Sequence, residues 1–216
     1  MPSSSRSITH VPHAISLAEL SQTRHFDLDA YMRSHTILPE KLSAVSGNAP
    51  ANAKEVALKW LSVYRAKGTG FSGHIADSIR VTEASIISNP EEPSKDEGRV
   101  VCEIEVTEDM VNDNGQLHEG CAIYFIDECS TLALSVLLES KGLNSDGGVS
   151  QTIDTTFHSS APVGAKLRIV NISMGIEEPM FCTRSEVWDD KGHKLIATAV
   201  QTKMRASRAK TATAKL

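Results

Sequence analysis

The stretch Asn112-Asp113-Asn114-Gly115-Gln116-Leu117-His118-Glu119-Gly120 brings an amide, an imidazole, carboxylates and two glycines into one short segment. It reads as a polar, Gly-containing loop feeding a helix N-terminus. Free backbone N–H groups at such a place favour negative charge. A developing oxyanion is one charge they can stabilise. Asp127 follows within Tyr124-Phe125-Ile126-Asp127. A carboxylate in an apolar helix is expensive to bury unless it is partnered. Its acidity can then be shifted toward a catalytic task. The alternative is a structural Asp, hydrogen-bonded to Ser130, Thr131 or a sheet N–H, because buried polar groups are normally paired.

Geometry constrains how the two features can cooperate. His118 and Asp127 are nine residues apart. At 1.5 Å per residue that is roughly 13 Å along one helix, and nine steps of 100° put them on opposite faces. They cannot meet at one reacting atom within a single chain. If both serve one site, two antiparallel copies of the helix must supply them, and the site lies at a dimer interface.

The elements that must position these residues are readable from periodicity. Residues 1 to about 50 carry turn formers and small polar residues, as an extension with one or two short helices would. From Asn52 to Lys67, Val56, Leu58, Trp60, Leu61 and Tyr64 recur at helical spacing, which predicts an amphipathic helix. Gly68, Gly70 and Gly73 break it. Ile79, Val81 and Ala84 to Ile87 predict a strand, and Pro90 to Gly98 a charged turn. Val100, Cys102, Ile104 and Val106 alternate with Val101, Glu103, Glu105 and Thr107, a half-buried strand. Gly120 to Leu138 is the longest apolar block and ends at Lys141-Gly142, which predicts a helix. Its apolar residues lie on nearly every face, so it should be buried all round. Four strands follow, over 147–158, 165–176, 180–189 and 193–204, with Asp189-Asp190-Lys191-Gly192 as a hairpin turn. A strand, a buried helix and four antiparallel strands make an α+β plan, and curling the sheet about the helix buries it economically. Arg205 to Leu216 has four basic residues and no acid and reads as a frayed tail.

Composition removes several other functions. At 216 residues the chain can bury a core without a disulfide or metal staple. The net charge of −5, from 22 basic and 27 acidic residues, argues against a general nucleic-acid binder. No uninterrupted apolar run reaches the roughly 18 residues of a bilayer span, so membrane insertion is not expected. Cys102, Cys121, Cys129 and Cys182 show no CxxC spacing, which excludes a zinc ribbon or a thioredoxin-type site. Four scattered thiols fit a reducing compartment such as the cytoplasm. The Ser-rich, acid-poor N-terminus, with Arg6 ahead of Glu19, leaves a mitochondrial address open.

Other chemistries lack their motifs. His10, His13 and His25 lie in the extension, and His74, His118, His158 and His193 are scattered. There is no HExxH or HxH pairing, although His118-Glu119 begins like the former, so no metal or other cofactor is expected. Ser150 has no GxSxG context for a triad nucleophile. The basic tail is a solvated end that could also attract the phosphates of a nucleotide-bearing substrate.

Asn112-x-x-Gly115-x-Leu117-His118-x-Gly120, followed by Asp127 and Ser130-Thr131, resembles the hotdog-fold acyl-CoA thioesterases, in the phenylacetyl-CoA thioesterase-like branch. The likeness continues from Val149-Ser150 through Asp154-Thr155-Thr156-Phe157 to Ala161-Pro162-Val163-Gly164, and again at Leu195-Ile196-Ala197-Thr198-Ala199. It covers about 75 to 204 and leaves the first 70 residues outside.

The resemblance implies a central helix in a curled antiparallel sheet, paired into homodimers and often homotetramers, with acyl-CoA as substrate and no cofactor. Asp127 matches the family's general base or nucleophile, and Asn112 the Asn at the loop start. His118 matches the loop His, which supports the loop and the thioester. Glu119 matches the residue whose backbone N–H meets the thioester oxygen. Ser150 matches the Ser that helps hold the attacking water. Gly115, Gly120 and Thr131 fall at positions expected to line the substrate. One departure stands out: the family usually reads His-Gly-Gly, whereas this chain reads His118-Glu119-Gly120. A backbone donor survives the change. The new carboxylate opposes an oxyanion unless it points away.

Two functions from different classes follow: a thioesterase releasing acid and coenzyme A, or an acyl-CoA-binding sensor or scaffold that does not turn its ligand over. A hotdog dehydratase is a third, and the His–Asp spacing fits the thioesterase branch better. Asn112, Asp127 and Ser150 together favour the enzyme.

Overall fold

The computed structural model describes residues 28–66, 71, 73–177 and 179–205. Most of the extension expected over 1–50, the breakers Gly68 and Gly70, His10, His13, His25, and the basic tail beyond Arg205 lie outside them. The elements are helices α1 (Leu28–Ser34), α2 (Pro39–Ser43), α3 (Ala51–Ala66), α4 (Gly73–Ala76) and α5 (Glu119–Ser140), and strands β1 (Arg80–Ser88), β2 (Asp96–Glu105), β3 (Val149–Phe157), β4 (Lys166–Gly175), β5 (Met180–Asp189) and β6 (Lys194–Met204).

All six strands join one antiparallel sheet in the order β1-β2-β4-β5-β6-β3. The strand order departs from sequence order only where β3 leaves α5 and crosses to the far edge. The charged turn expected over 90–98 is shorter than its composition suggested. Strand β2 already begins at Asp96, and Glu97 pairs with Ile87 of β1. Glu97 is buried there, and its carboxylate accepts from Asn89 Nδ2 at 2.6 Å across the turn, so the polar side chain is satisfied within the hairpin.

Helix α5 lies across the sheet and touches every strand. By length and composition it is apolar enough to cross a bilayer. In this fold its apolar surface is covered by protein. Its C-terminal half, Cys129 to Leu138, is buried on every face. It stops where Gly142 and Leu143 N–H return to the carbonyls of Glu139 and Leu138, the hydrogen-bond pattern of a Schellman end. The N-terminal half departs from the expectation of burial all round. Glu119 and Gly120 are exposed, and Ile123 and Asp127 are half-buried on the same side. That open stripe is where the polar residues of the helix sit.

The sheet does not cover α5 alone. Helix α3 packs along it and buries Ala53, Val56, Ala57, Trp60 and Leu61 in the shared core. These recur at i, i+3, i+4, i+7 and i+8, the stripe of an amphipathic helix. Trp60 Nε1 donates to Ser145 O at 2.9 Å, tying α3 to the loop that leads into β3. Leu58 is only half-buried.

Helix and sheet approach each other closely at Gly98 of β2. A Cβ there would lie 2.2 Å from Ala133 O and 3.1 Å from Leu137 Cβ. The first of these is backbone, so the side chain cannot be accommodated by a rotamer change. Gly98→Ala is expected to lower stability by the roughly 1–3 kcal/mol or more of core overpacking. Chemical denaturation at fixed protein concentration checks this, and an unshifted midpoint would disprove the close packing.

Candidate active site

The residues singled out from sequence fall into two groups. The first is the loop before α5. Asn112 O accepts from Gly115 N–H at 2.8 Å, and Asn112 Oδ1 accepts from Asn114 N–H at 3.0 Å and Gln116 N–H at 3.3 Å. Gly115 takes φ +70°, which L-residues with a Cβ adopt rarely, so the turn needs glycine. The side-chain oxygen of Asn112 thus shapes the loop. Its Nδ2 has no partner among the described residues.

The helix then starts on a His rather than on one of the usual N-cap residues. His118 Nδ1 accepts from Gly120 N–H at 2.9 Å, so a neutral ring carries its proton on Nε2. The His118 carbonyl accepts from Cys121 N–H at 2.9 Å and Ala122 N–H at 3.1 Å. A helix leaves its first N–H groups without intrahelical partners. Here those of Gly120, Cys121 and Ala122 are used, and Glu119 N–H is left over among the described residues. A Cβ on Gly120 would press on the His118 ring at 3.2 Å, so a small residue suits the cap. The Glu119 side chain is exposed in the first turn, where its charge suits the helix dipole.

The second group surrounds Asp127, two turns further along α5. Asp127 Oδ1 accepts from Ser150 Oγ at 2.7 Å and from Gln201 Nε2 at 2.5 Å. Gln201 Nε2 also donates to Ser150 Oγ at 2.9 Å, while its Oε1 accepts from Ser130 Oγ. Thr131 Oγ1 donates to the Asp127 carbonyl at 3.0 Å. Lys203 Nζ donates to Thr131 Oγ1 at 2.8 Å and Ser150 Oγ at 3.1 Å, and lies 3.9 Å from Asp127 Oδ1. The Asp127 side chain is 40% exposed, so it is partnered on one side and open on the other. Its Oδ2 has no partner among the described residues.

Sequence reading brought Asp127, Thr131 and Ser150 into consideration but missed Gln201 and Lys203. The signal was present. On β6, Ala197, Ala199, Gln201 and Lys203 form one buried row, so two polar side chains continue an inward-facing apolar pattern. A buried polar pair on the core face of a strand asks for a partner. Ser150 pairs directly with Lys203 across β3 and β6, and a bulge follows between Ser150 and Thr152. The extra residue turns Ile153 to the same side as Ser150, against strict alternation. Ile153 can therefore pack on the core while Ser150 reaches Asp127.

The loop group and the Asp127 group do not meet. Glu119 and Asp127 are eight residues apart on the helix, about 12 Å of rise. Among the described residues no cluster of three or more His, Cys, Asp or Glu has metal-holding geometry.

A long helix laid across six antiparallel strands in this order defines a hotdog domain. Zebrafish thioesterase superfamily member 2 shares the fold, with a TM-score of 0.55 and 22% identity over 69% of this chain and 98% of that one. No family model matches the chain. The proteins named acyl-coenzyme A thioesterase 13 of Homo sapiens and Pongo abelii are each 31% identical over 106 residues, 49% of this chain and 72% of the relative. The chain belongs to the hotdog-fold acyl-CoA thioesterases.

The cysteines are placed for packing. Cys102 and Cys129 are fully buried, and burial raises Cys182. Cys121, next to the loop, is pushed up to about 12, first by burial and then by the Asp109 carboxylate. An ordinary thiol titrates near 8.5 and reacts as its thiolate. The native protein is therefore expected to react with a thiol-specific disulfide reagent at pH 8 many-fold more slowly than after unfolding. Rapid labelling of Cys121 in the native state, located by mass spectrometry, would contradict this.

Proposed function

We propose that the protein hydrolyses an acyl-CoA thioester to a free acid and coenzyme A, with Asp127 of one subunit as general base and the 112–120 loop of a second subunit holding the thioester. The observation that carries this reading is the division of labour at Asp127. One oxygen is held by Ser150 and Gln201, and the other has no partner among the described residues, on a partly open side chain. Such an oxygen can accept a proton from water as the water oxygen attacks the thioester carbon. The carbonyl oxygen then gains negative charge, and the Glu119 N–H and the Asn112 side-chain amide are donors available to it. Collapse of the tetrahedral adduct breaks the C–S bond. The sulfur leaves as thiolate and is protonated to the thiol, and the acyl carbon retains the oxygen of water.

The two-subunit arrangement is favoured by distance. About 12 Å of helix between Glu119 and Asp127 is too far for both to reach one thioester group within a chain. An edge strand supports the same reading. β3 ends the sheet, carries Ser150, and exposes Val149 and Phe157 at 50% and 43%. Asp154 is its only charged residue, so little on it opposes pairing with a second copy. A homodimer joined along β3 brings the partner's loop toward Asp127. Acyl-CoA is the substrate class proposed here.

Purified protein should release coenzyme A from at least one member of an acyl-CoA panel with EDTA present. Asp127→Asn keeps size and most hydrogen bonding, and is expected to lower kcat by about 10²–10⁴-fold with little change in substrate affinity. Mixing inactive Asp127→Asn and Asn112→Ala subunits should restore activity, because one of the two sites in a mixed dimer is intact. Near-normal turnover of Asp127→Asn makes the carboxylate structural. A binding protein without turnover would retain acyl-CoA and release no thiol.

Glu119 supplies its backbone, so Glu119→Gly should change kcat by less than about tenfold, roughly 1.4 kcal/mol of barrier. A hundredfold fall with the fold and dimer intact would instead make its carboxylate part of the acid–base chemistry.

A further inference from the structure

Lys203 takes no part in the reaction proposed above, yet the residue is only 5% exposed and its ammonium sits inside the Asp127 cluster. A buried cation is costly unless its hydrogen bonds and charge are matched. Here the matches are Thr131 Oγ1, Ser150 Oγ and, at 3.9 Å, Asp127 Oδ1. Burial lowers the Lys203 pKa, against the opposing pull of the Asp127 and Glu128 carboxylates on α5.

The hydroxyl of Ser150 decides what this arrangement does. A hydroxyl has one hydrogen to donate and two lone pairs to accept with. Gln201 Nε2 at 2.9 Å and Lys203 Nζ at 3.1 Å are donors with no lone pair to offer, so they take both lone pairs. The hydrogen is left for Asp127 Oδ1 at 2.7 Å. Ser150 then has nothing free for a water molecule. It acts on the carboxylate, occupying Oδ1 and leaving Oδ2 as the oxygen that can work.

We propose that Lys203 is a positioning residue of the reaction: its ammonium, anchored on Thr131, holds the Ser150 hydroxyl as a committed donor to Asp127 Oδ1. The inference rests on Asp127 being the base. Without Lys203 a lone pair of Ser150 is free, the hydroxyl can rotate toward Gln201 Oε1 or solvent, and the carboxylate is no longer oriented. Lys203 Nζ is within hydrogen-bond distance of the Ser150 hydroxyl but 3.9 Å from Asp127 Oδ1, so the larger part of its effect passes through Ser150.

The test is a double-mutant cycle on the full chain, with kcat and KM for one hydrolysed acyl-CoA. Lys203→Met keeps the length and apolar stem and removes the donor. It should lower kcat by tenfold or more and move KM by less than about threefold. In the Ser150→Ala background the same change should lower kcat by less than twofold, because the hydroxyl it orients is gone. Additive interactions multiply in such a cycle, and residues acting through one another do not. If Lys203→Met does not fold, Thr131→Val removes the anchor with the lysine in place. It should lower kcat severalfold alone and have no further effect with Ser150→Ala. Unchanged kcat in the folded Lys203 or Thr131 variant overturns the proposal, as does full multiplication with Ser150→Ala. Asp127→Asn separates the two readings. If it abolishes turnover while Lys203→Met is normal, only the positioning role fails. If it leaves turnover intact, the base assignment itself is wrong.

Discussion

A 22-residue helix with apolar residues on nearly every face of its C-terminal half must be covered nearly all round, and most of the molecule is arranged to do this. A single twisted sheet can wrap much of a helix but leaves one side open. Here α3 closes part of that side with a stripe containing Ala53, Ala57 and Trp60. Small residues at the contact let the two helix axes approach, and Gly98 lets β2 do the same from the sheet. The hydrophobic effect thus sets where the strands must lie, and it scales with the apolar area they remove from water.

That packing also decides which polar groups become neighbours. Covering α5 brings β6 and β3 beside its less apolar N-terminal half. Asp127, Ser150, Gln201, Lys203 and the Ser130–Thr131 pair then form one connected hydrogen-bond network. In a medium less polar than water such a network is rigid when satisfied and costly when not. It is nearly satisfied here: Asp127 Oδ2, on the partly open side, is the oxygen without a partner among the described residues. A carboxylate held by one oxygen and open at the other has a defined direction in which to accept a proton.

The opposite end of the same open stripe follows a second rule, that of helix termini. The His118 imidazole and the His118 carbonyl use up the donors of Gly120, Cys121 and Ala122 and leave that of Glu119 among the described residues. The replacement of glycine by Glu119 leaves this intact because the donor belongs to the backbone. The two ends are separated by the helix that joins them, and the exposed β3 edge lies beside the Asp127 end. Chemistry that needs both ends then needs a second chain.

Much of the architecture was legible from the order of residues because it depends on short-range pattern. The strand-like runs over 180–189 and 193–204, the apolar block ending at Lys141-Gly142, and the loop from Asn112 to Gly120 each carry their structure locally. The nine-residue spacing of His118 and Asp127 was also enough to show that one chain cannot bring them together. What the sequence could not reveal depends on packing between distant segments. The half-open face of α5 arises because the sheet and α3 do not close around its first turns. Gln201 and Lys203 come to Asp127 only because β6 runs antiparallel beside β3 in a register that sets Ser150 opposite Lys203. The bulge after Ser150 then breaks the alternation from which facing is read. Residue types and local spacing determined the elements and the reactive groups. Tertiary structure decided which oxygen of Asp127 is held and which is open, because hydrogen-bond partners 23 and 74 residues away along the chain can be assigned only once the sheet register exists.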